Sequence, residues 1–178
     1  MISTFLISVH ALVEPTFIVA TLLSALLGFV LLGRRRGRGA LTWLAAASLV
    51  GALLLALVPS GDEPARRFCS VGFSWPSWGA VASSANIMLL LPATLFAALA
   101  LRRPLLAFGA GVVTSALIEL VQAVTPVLGR ACDTDDLWMN SLGALAASLL
   151  AAGVLAVRAR RSTRSKPIDA ERERDLVD

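Results

Sequence analysis

The stretch from Pro104 to Thr125, "PLLAFGAGVVTSALIELVQAVT", decides what kind of protein this is. At 1.5 Å per residue, one helix of this length crosses the roughly 30 Å hydrocarbon core of a bilayer. Its only charged residue is Glu119. The short alternating segments that mark membrane-barrel strands are absent from it and from the rest of the chain.

Four further apolar runs flank it, approximately residues 11–32, 40–58, 84–101 and 137–157. Gly, Pro, Arg and Asp mark the breaks between them, as helix ends require. Over all 178 residues, 57% are hydrophobic, 16% are charged, and the mean hydropathy is +0.77. Soluble domains carry about 25% charge. The expected fold is an all-α polytopic bundle of about five transmembrane helices. It divides into residues 1–80 (two helices and an aromatic loop), a three-helix core over 81–157, and a charged tail over 158–178 expected to be disordered. The opening "MISTFLISVHALVEPTF" has neither a positive n-region nor a small-residue cleavage site, so the first span is expected to be retained.

Charge sets an expected orientation. Arg34, Arg35, Arg36 and Arg38 separate spans one and two, Arg102 and Arg103 separate spans three and four, and a basic tail follows span five. The opposite side holds only Arg66, Arg67 and Arg130. The positive-inside rule then puts the N-terminus outside and the tail in the cytoplasm. The net charge of +4 is thus topological, and the tail reads as a retention signal and solvated end rather than a nucleic-acid patch. No Rossmann, P-loop, HExxH or GxSxG pattern is present.

With that orientation, the polar residues converge. Glu119 lies about 9 Å below the outer end of its helix, with Gln122 at i+3 on the same face. Asn86 opens span three and Asn140 opens span five at similar depth, Glu14 falls at the outer end of span one, and Arg130, Asp133, Asp135 and Asp136 fill the loop between spans four and five. A charge at the centre of a membrane helix costs roughly 2.5–3.5 kcal/mol, so Glu119 is expected to face the bundle, with Arg130 as its partner. Asp135 reads most readily as a helix cap.

The outer loop "PSGDEPARRFCSVGFSWPSWGAVASS" carries Phe73, Trp75 and Trp78, which read as interfacial anchors. The two cysteines, Cys69 there and Cys132 beside Asp133, both fall outside and are expected to pair.

The pattern Glu119-x-x-Gln122, Arg130-x-x-Asp133-x-x-Asp136-x-x-x-Asn140-x-x-Gly143 resembles the signature of the VanZ-like family of bacterial membrane proteins. Asn86 to Pro92 resembles that family's Asn-to-Pro segment, but Leu91-Pro92-Ala93-Thr94 departs from the family's Phe-Pro-x-Gly ending. The resemblance spans approximately residues 81–152. It implies a small multi-pass protein whose site would include Asn86, Glu119, Gln122, Arg130, Asp133, Asp136 and Asn140. The founding member contributes to resistance against the lipoglycopeptide teicoplanin without remodelling the D-Ala-D-Ala terminus.

Two site readings follow. In the first, an outer-leaflet site in the plasma membrane binds membrane lipids, a lipid-linked envelope precursor or a lipoglycopeptide antibiotic, without a cofactor or nucleic acid. In the second, an enzyme acts on such a lipid, with Glu119 or Asp136 as general base. A divalent cation between Asp133 and Asp136 is a further alternative. The sole histidine, His10, reads as interfacial and offers no nucleophile–His pair. A Glu119-dependent carrier fits poorly without an inverted repeat, and a purely structural bundle is the remaining reading.

Overall fold

Apolar runs this long hydrogen-bond their own backbone only as helices, and helices are what form. The computed structural model describes residues 2–59, 69–76 and 81–174, with side chains described over 15–59, 69–76 and 82–161. These comprise α1 (Ile2–Leu31), α2 (Gly37–Leu57), α3 (Val81–Leu101), α4 (Pro104–Val124) and α5 (Thr134–Arg174), with a 3-10 turn at Pro126–Leu128. Among the described residues, four helices are long and apolar enough to cross a membrane, Gly37–Leu57, Ala82–Leu101, Pro104–Val124 and Thr134–Arg161. The described apolar part of α1, Pro15–Leu31, is shorter.

The bundle is built around α3, which packs against all four other helices. Its Leu90, Leu91, Leu95, Phe96, Ala98 and Leu99 are buried. The opposing face of α5 presents Ala144, Ala147 and Ala151, all at 0% exposure. Within lipid, helix association depends on close packing rather than on expulsion of water, so small residues belong at such a seam. Gly143 takes this to its limit: a Cβ added there would lie 1.9 Å from the Ile87 carbonyl oxygen of α3. Where Thr94 replaces the glycine of the Phe-Pro-x-Gly pattern, the small partner is Gly111 of α4, whose added Cβ would fall 3.0 Å from Thr94 Oγ1.

The outward faces are apolar instead of polar. Leu22, Leu23 and Leu26 of α1, Leu54 and Leu55 of α2, and Leu117, Leu120 and Val124 of α4 are all exposed. An exposed apolar area this large is a liability in water and the required surface in lipid.

Two boundaries differ from the sequence reading. Helix α1 begins near the start of the chain, and α5 continues through Arg158, Ala159, Arg160 and Arg161 to Arg174, where the tail is expected to lose order. Ala and Arg are both good helix formers, which carries the helix through residues 158–161 beyond its apolar span. His10, Glu14, Arg66, Arg67 and Trp78, read above as interfacial, polar or loop residues, lie outside the described side chains.

Candidate functional site

At one end of the bundle the chain has to satisfy the open ends of two helices. The last carbonyls of α2 have no partners within the helix, nor do the first N–H groups of α5. The polar residues picked out above meet these groups. Gln122, on α4, donates from Nε2 to the Ala56 carbonyl at 3.0 Å, and Arg130 donates from Nε to the Val58 carbonyl at 3.2 Å. Both contacts bring donors to the negative end of the α2 dipole.

The start of α5 is treated in the opposite sense. The Asp133 backbone N–H donates to Glu119 Oε2 at 2.8 Å. Asp133 itself is the N-cap, its Oδ1 accepting from the Asp135 N–H at 2.8 Å. Asp136, in the first turn, accepts from Asn86 Nδ2 on α3. Carboxylates thus surround the positive end of the α5 dipole.

Two expectations are corrected here. Glu119 does not pair with Arg130, because the guanidinium reaches the end of α2 while the carboxylate turns to the α5 N-terminus. The capping role expected of Asp135 belongs to Asp133, because α5 starts at Thr134, and Asp135 instead binds the neighbouring loop. Ser74 donates to Asp135 Oδ1 through both its backbone N–H at 2.8 Å and its hydroxyl at 2.9 Å.

That loop, residues 69–76, is stitched along the start of α5. Ser70 N–H donates to the Cys132 carbonyl, and Thr134 N–H donates to the Ser70 carbonyl, forming an isolated parallel bridge. Thr134 Oγ1 donates to the Gly72 carbonyl at 2.8 Å. The Cys69–Cys132 disulfide closes one end, and Phe73 packs on Trp138 with ring centroids 4.5 Å apart. Val71, Phe73 and Trp75 nevertheless remain largely exposed, presenting an apolar fringe at this end of the helices.

Behind the fringe lies a cavity of about 570 Å³. Asn86, Glu119, Gln122, Arg130, Asp136 and Asn140 all line it, and Asp133 does not. Glu119 and Gln122 are each 6% exposed and Asn140 is 2% exposed, while Arg130 and Asp136 are half-buried. Gln122 Oε1 and Asn140 Oδ1 are buried acceptors without a hydrogen-bond partner. Among the described residues, no group of three or more His, Cys, Asp or Glu gathers as metal ligands would.

The other wall is apolar and was not legible as part of a site. Phe17 of α1 and Gly51, Ala52 and Leu55 of α2 line it, with Met88, Leu89 and Pro92 of α3. Pro92 removes one donor from the α3 ladder beside the cavity. Beyond the Asn86-to-Pro92 segment, nothing in the sequence distinguishes Phe17, Gly51, Ala52 and Leu55 from generic lipid-facing positions. Ser74 and Thr134 were missed for a related reason, since their partners, Asp135 in α5 and Gly72 in the loop, are about sixty residues away in sequence.

The family model described as VanZ/LLP1 matches residues 20–156. The match therefore takes in α2 and the C-terminal part of α1, well beyond residues 81–152. No curated protein matches the chain, and no solved structure does.

Proposed function

The chain belongs to the VanZ/LLP1 family and is a multi-pass membrane protein, and on that premise we propose that its polar cavity binds a lipid-linked cell-envelope molecule or an acylated glycopeptide antibiotic. One observation carries the reading: a single cavity joins an arginine, two carboxylates and two orphaned amide acceptors to a wall of apolar helix surface. A buried acceptor without a partner costs about 1–3 kcal/mol, and a ligand's hydroxyl or amine offsets that. Arg130 suits a phosphate or carboxylate, and the wall of Phe17, Leu55 and Leu89 suits an acyl chain.

The arginine bias between helices supports an outer-leaflet position for the cavity in the bacterial plasma membrane, with the N-terminus outside. From there the protein acts in envelope homeostasis or in resistance to lipoglycopeptides.

Native mass spectrometry of the protein purified from bacterial membranes tests the reading. Wild type is expected to carry a lipid-linked species that Arg130→Ala loses. Equal occupancy in the two proteins, or none in either, ends the binding proposal.

Glu119 and Asp136 facing one cavity favour a second reading, an enzyme using acid–base chemistry on the same lipid. Glu119→Gln keeps an acceptor for the Asp133 N–H, so it is expected to fold. If the protein is an enzyme, Glu119→Gln and Asp136→Asn retain the lipid unprocessed; if it only binds, they weaken retention and no product mass exists to lose.

A further inference from the structure

The opposite end of the bundle has a second cavity, of about 500 Å³, lined by Leu32, Arg102, Leu155, Arg158 and Ala159. We propose that it binds the phosphate of an anionic phospholipid headgroup, held between Arg102 and Arg158, with Leu32 and Leu155 against the upper part of the lipid.

Arg158 is already held in place. Its guanidinium carbon lies 5.1 Å from the centre of the Phe29 ring. Its Nη2 fills the space beside Gly33, where an added Cβ would come within 2.3 Å. Its Nε is buried and has no hydrogen-bond partner. An arginine so positioned has donors to offer and little rotamer freedom left to lose.

Arg102 reaches the cavity from the end of α3 through a backbone normally left to glycine. Its φ is +55°, and it is the only non-glycine residue with positive φ among those described. Strain of this kind persists where the surroundings or a function hold it. Arg102 makes no hydrogen bond or ion pair among the described residues. Arg38 differs, because its Nε caps the Ala100 carbonyl at 3.2 Å.

Among the described side chains, no carboxylate lies beside these cations. The four carboxylates whose side chains are described, Glu119, Asp133, Asp135 and Asp136, are all at the other end. Arg34, Arg35 and Arg36 sit exposed in the adjoining α1–α2 turn. A basic pocket between membrane helices, flanked by apolar side chains, is the chemistry that selects an anionic headgroup.

The test uses the full chain in nanodiscs of equal phosphatidylglycerol and phosphatidylcholine, transferred to mild detergent and weighed by native mass spectrometry. Wild type is expected to retain phosphatidylglycerol about tenfold over phosphatidylcholine. Arg102→Gln with Arg158→Gln should lower that retention about fivefold, while Arg34→Gln with Arg35→Gln removes the same charge and leaves it within about twofold. Gly33→Ala displaces the Arg158 guanidinium without removing a charge, and should also lower retention while leaving tryptophan-monitored unfolding unchanged. Equal retention of the two lipids overturns the proposal, as does wild-type retention in both Gly33→Ala and the double variant. Displacement of phosphatidylglycerol by inorganic phosphate, with a phosphate adduct in its place, overturns the lipid and assigns the site to free phosphate.

Discussion

The two ends of this bundle treat charge in opposite ways. At the cavity end, Glu119, Gln122, Arg130 and Asp133 are spent on open helix termini, and a disulfide-anchored loop covers the start of α5. At the arginine end the turns are short, one cation caps α3, and Arg102 and Arg158 line an open cavity. The comparison shows that polar side chains close exposed helix termini at one end of the bundle, whereas at the other the α1–α2 turn closes through its own backbone and leaves Arg102 and Arg158 lining a cavity.

The largest expected difference lies between two glycines. Gly143→Ala drives a Cβ into the Ile87 backbone carbonyl, which moves only if α3 and α5 separate, so a loss of about 3 kcal/mol or more is expected. Gly33→Ala meets the terminal guanidinium of Arg158 rather than backbone and should stay within about 0.5 kcal/mol. Thermal unfolding in detergent compares the two, and equal melting temperatures would break the contrast.

Removing the disulfide with Cys69→Ser and Cys132→Ser comes next. The cysteines are 63 residues apart, for which the chain-entropy relation gives about 4 kcal/mol. Membrane insertion already restricts the unfolded chain, so about 2–3 kcal/mol is expected, measured with and without reductant.

Single polar contacts at the cavity end should each be worth about 1 kcal/mol. Gln122→Leu leaves the Ala56 carbonyl without its side-chain donor, and Asp133→Ala removes the α5 cap. Asp133→Asn, itself a good N-cap, should restore most of that loss, and its failure to do so would separate Asp133 from capping. The smallest effect belongs to the arginine end: Arg34→Gln, exposed and outside the second cavity, should change unfolding by less than about 0.5 kcal/mol.

Much of the candidate site was legible because depth in a membrane can be read from a helix. Counting from the ends of spans three, four and five put Asn86, Glu119, Gln122 and Asn140 at one level, with Asp136 in the adjoining loop, and all five line one cavity. Partners were not legible. Glu119 and Arg130 invite pairing by charge, but each found a backbone group exposed by a helix end, and where such ends fall in space depends on packing. The cap fell to Asp133 instead of Asp135 because the first residue of α5 decides which carboxylate can cap it.

By itself the sequence determined the membrane-crossing helices, since long uncharged runs leave no other way to satisfy the backbone in lipid. It also determined the family and the level at which the polar residues lie. Only the tertiary structure decided that Gly143 would meet Ile87, that Gln122 and Arg130 would close the end of α2, and that Phe17 and Leu55 would wall the cavity. Those are contacts between helices, set by small residues that let backbones approach, and periodicity along one helix carries no record of what the next one brings.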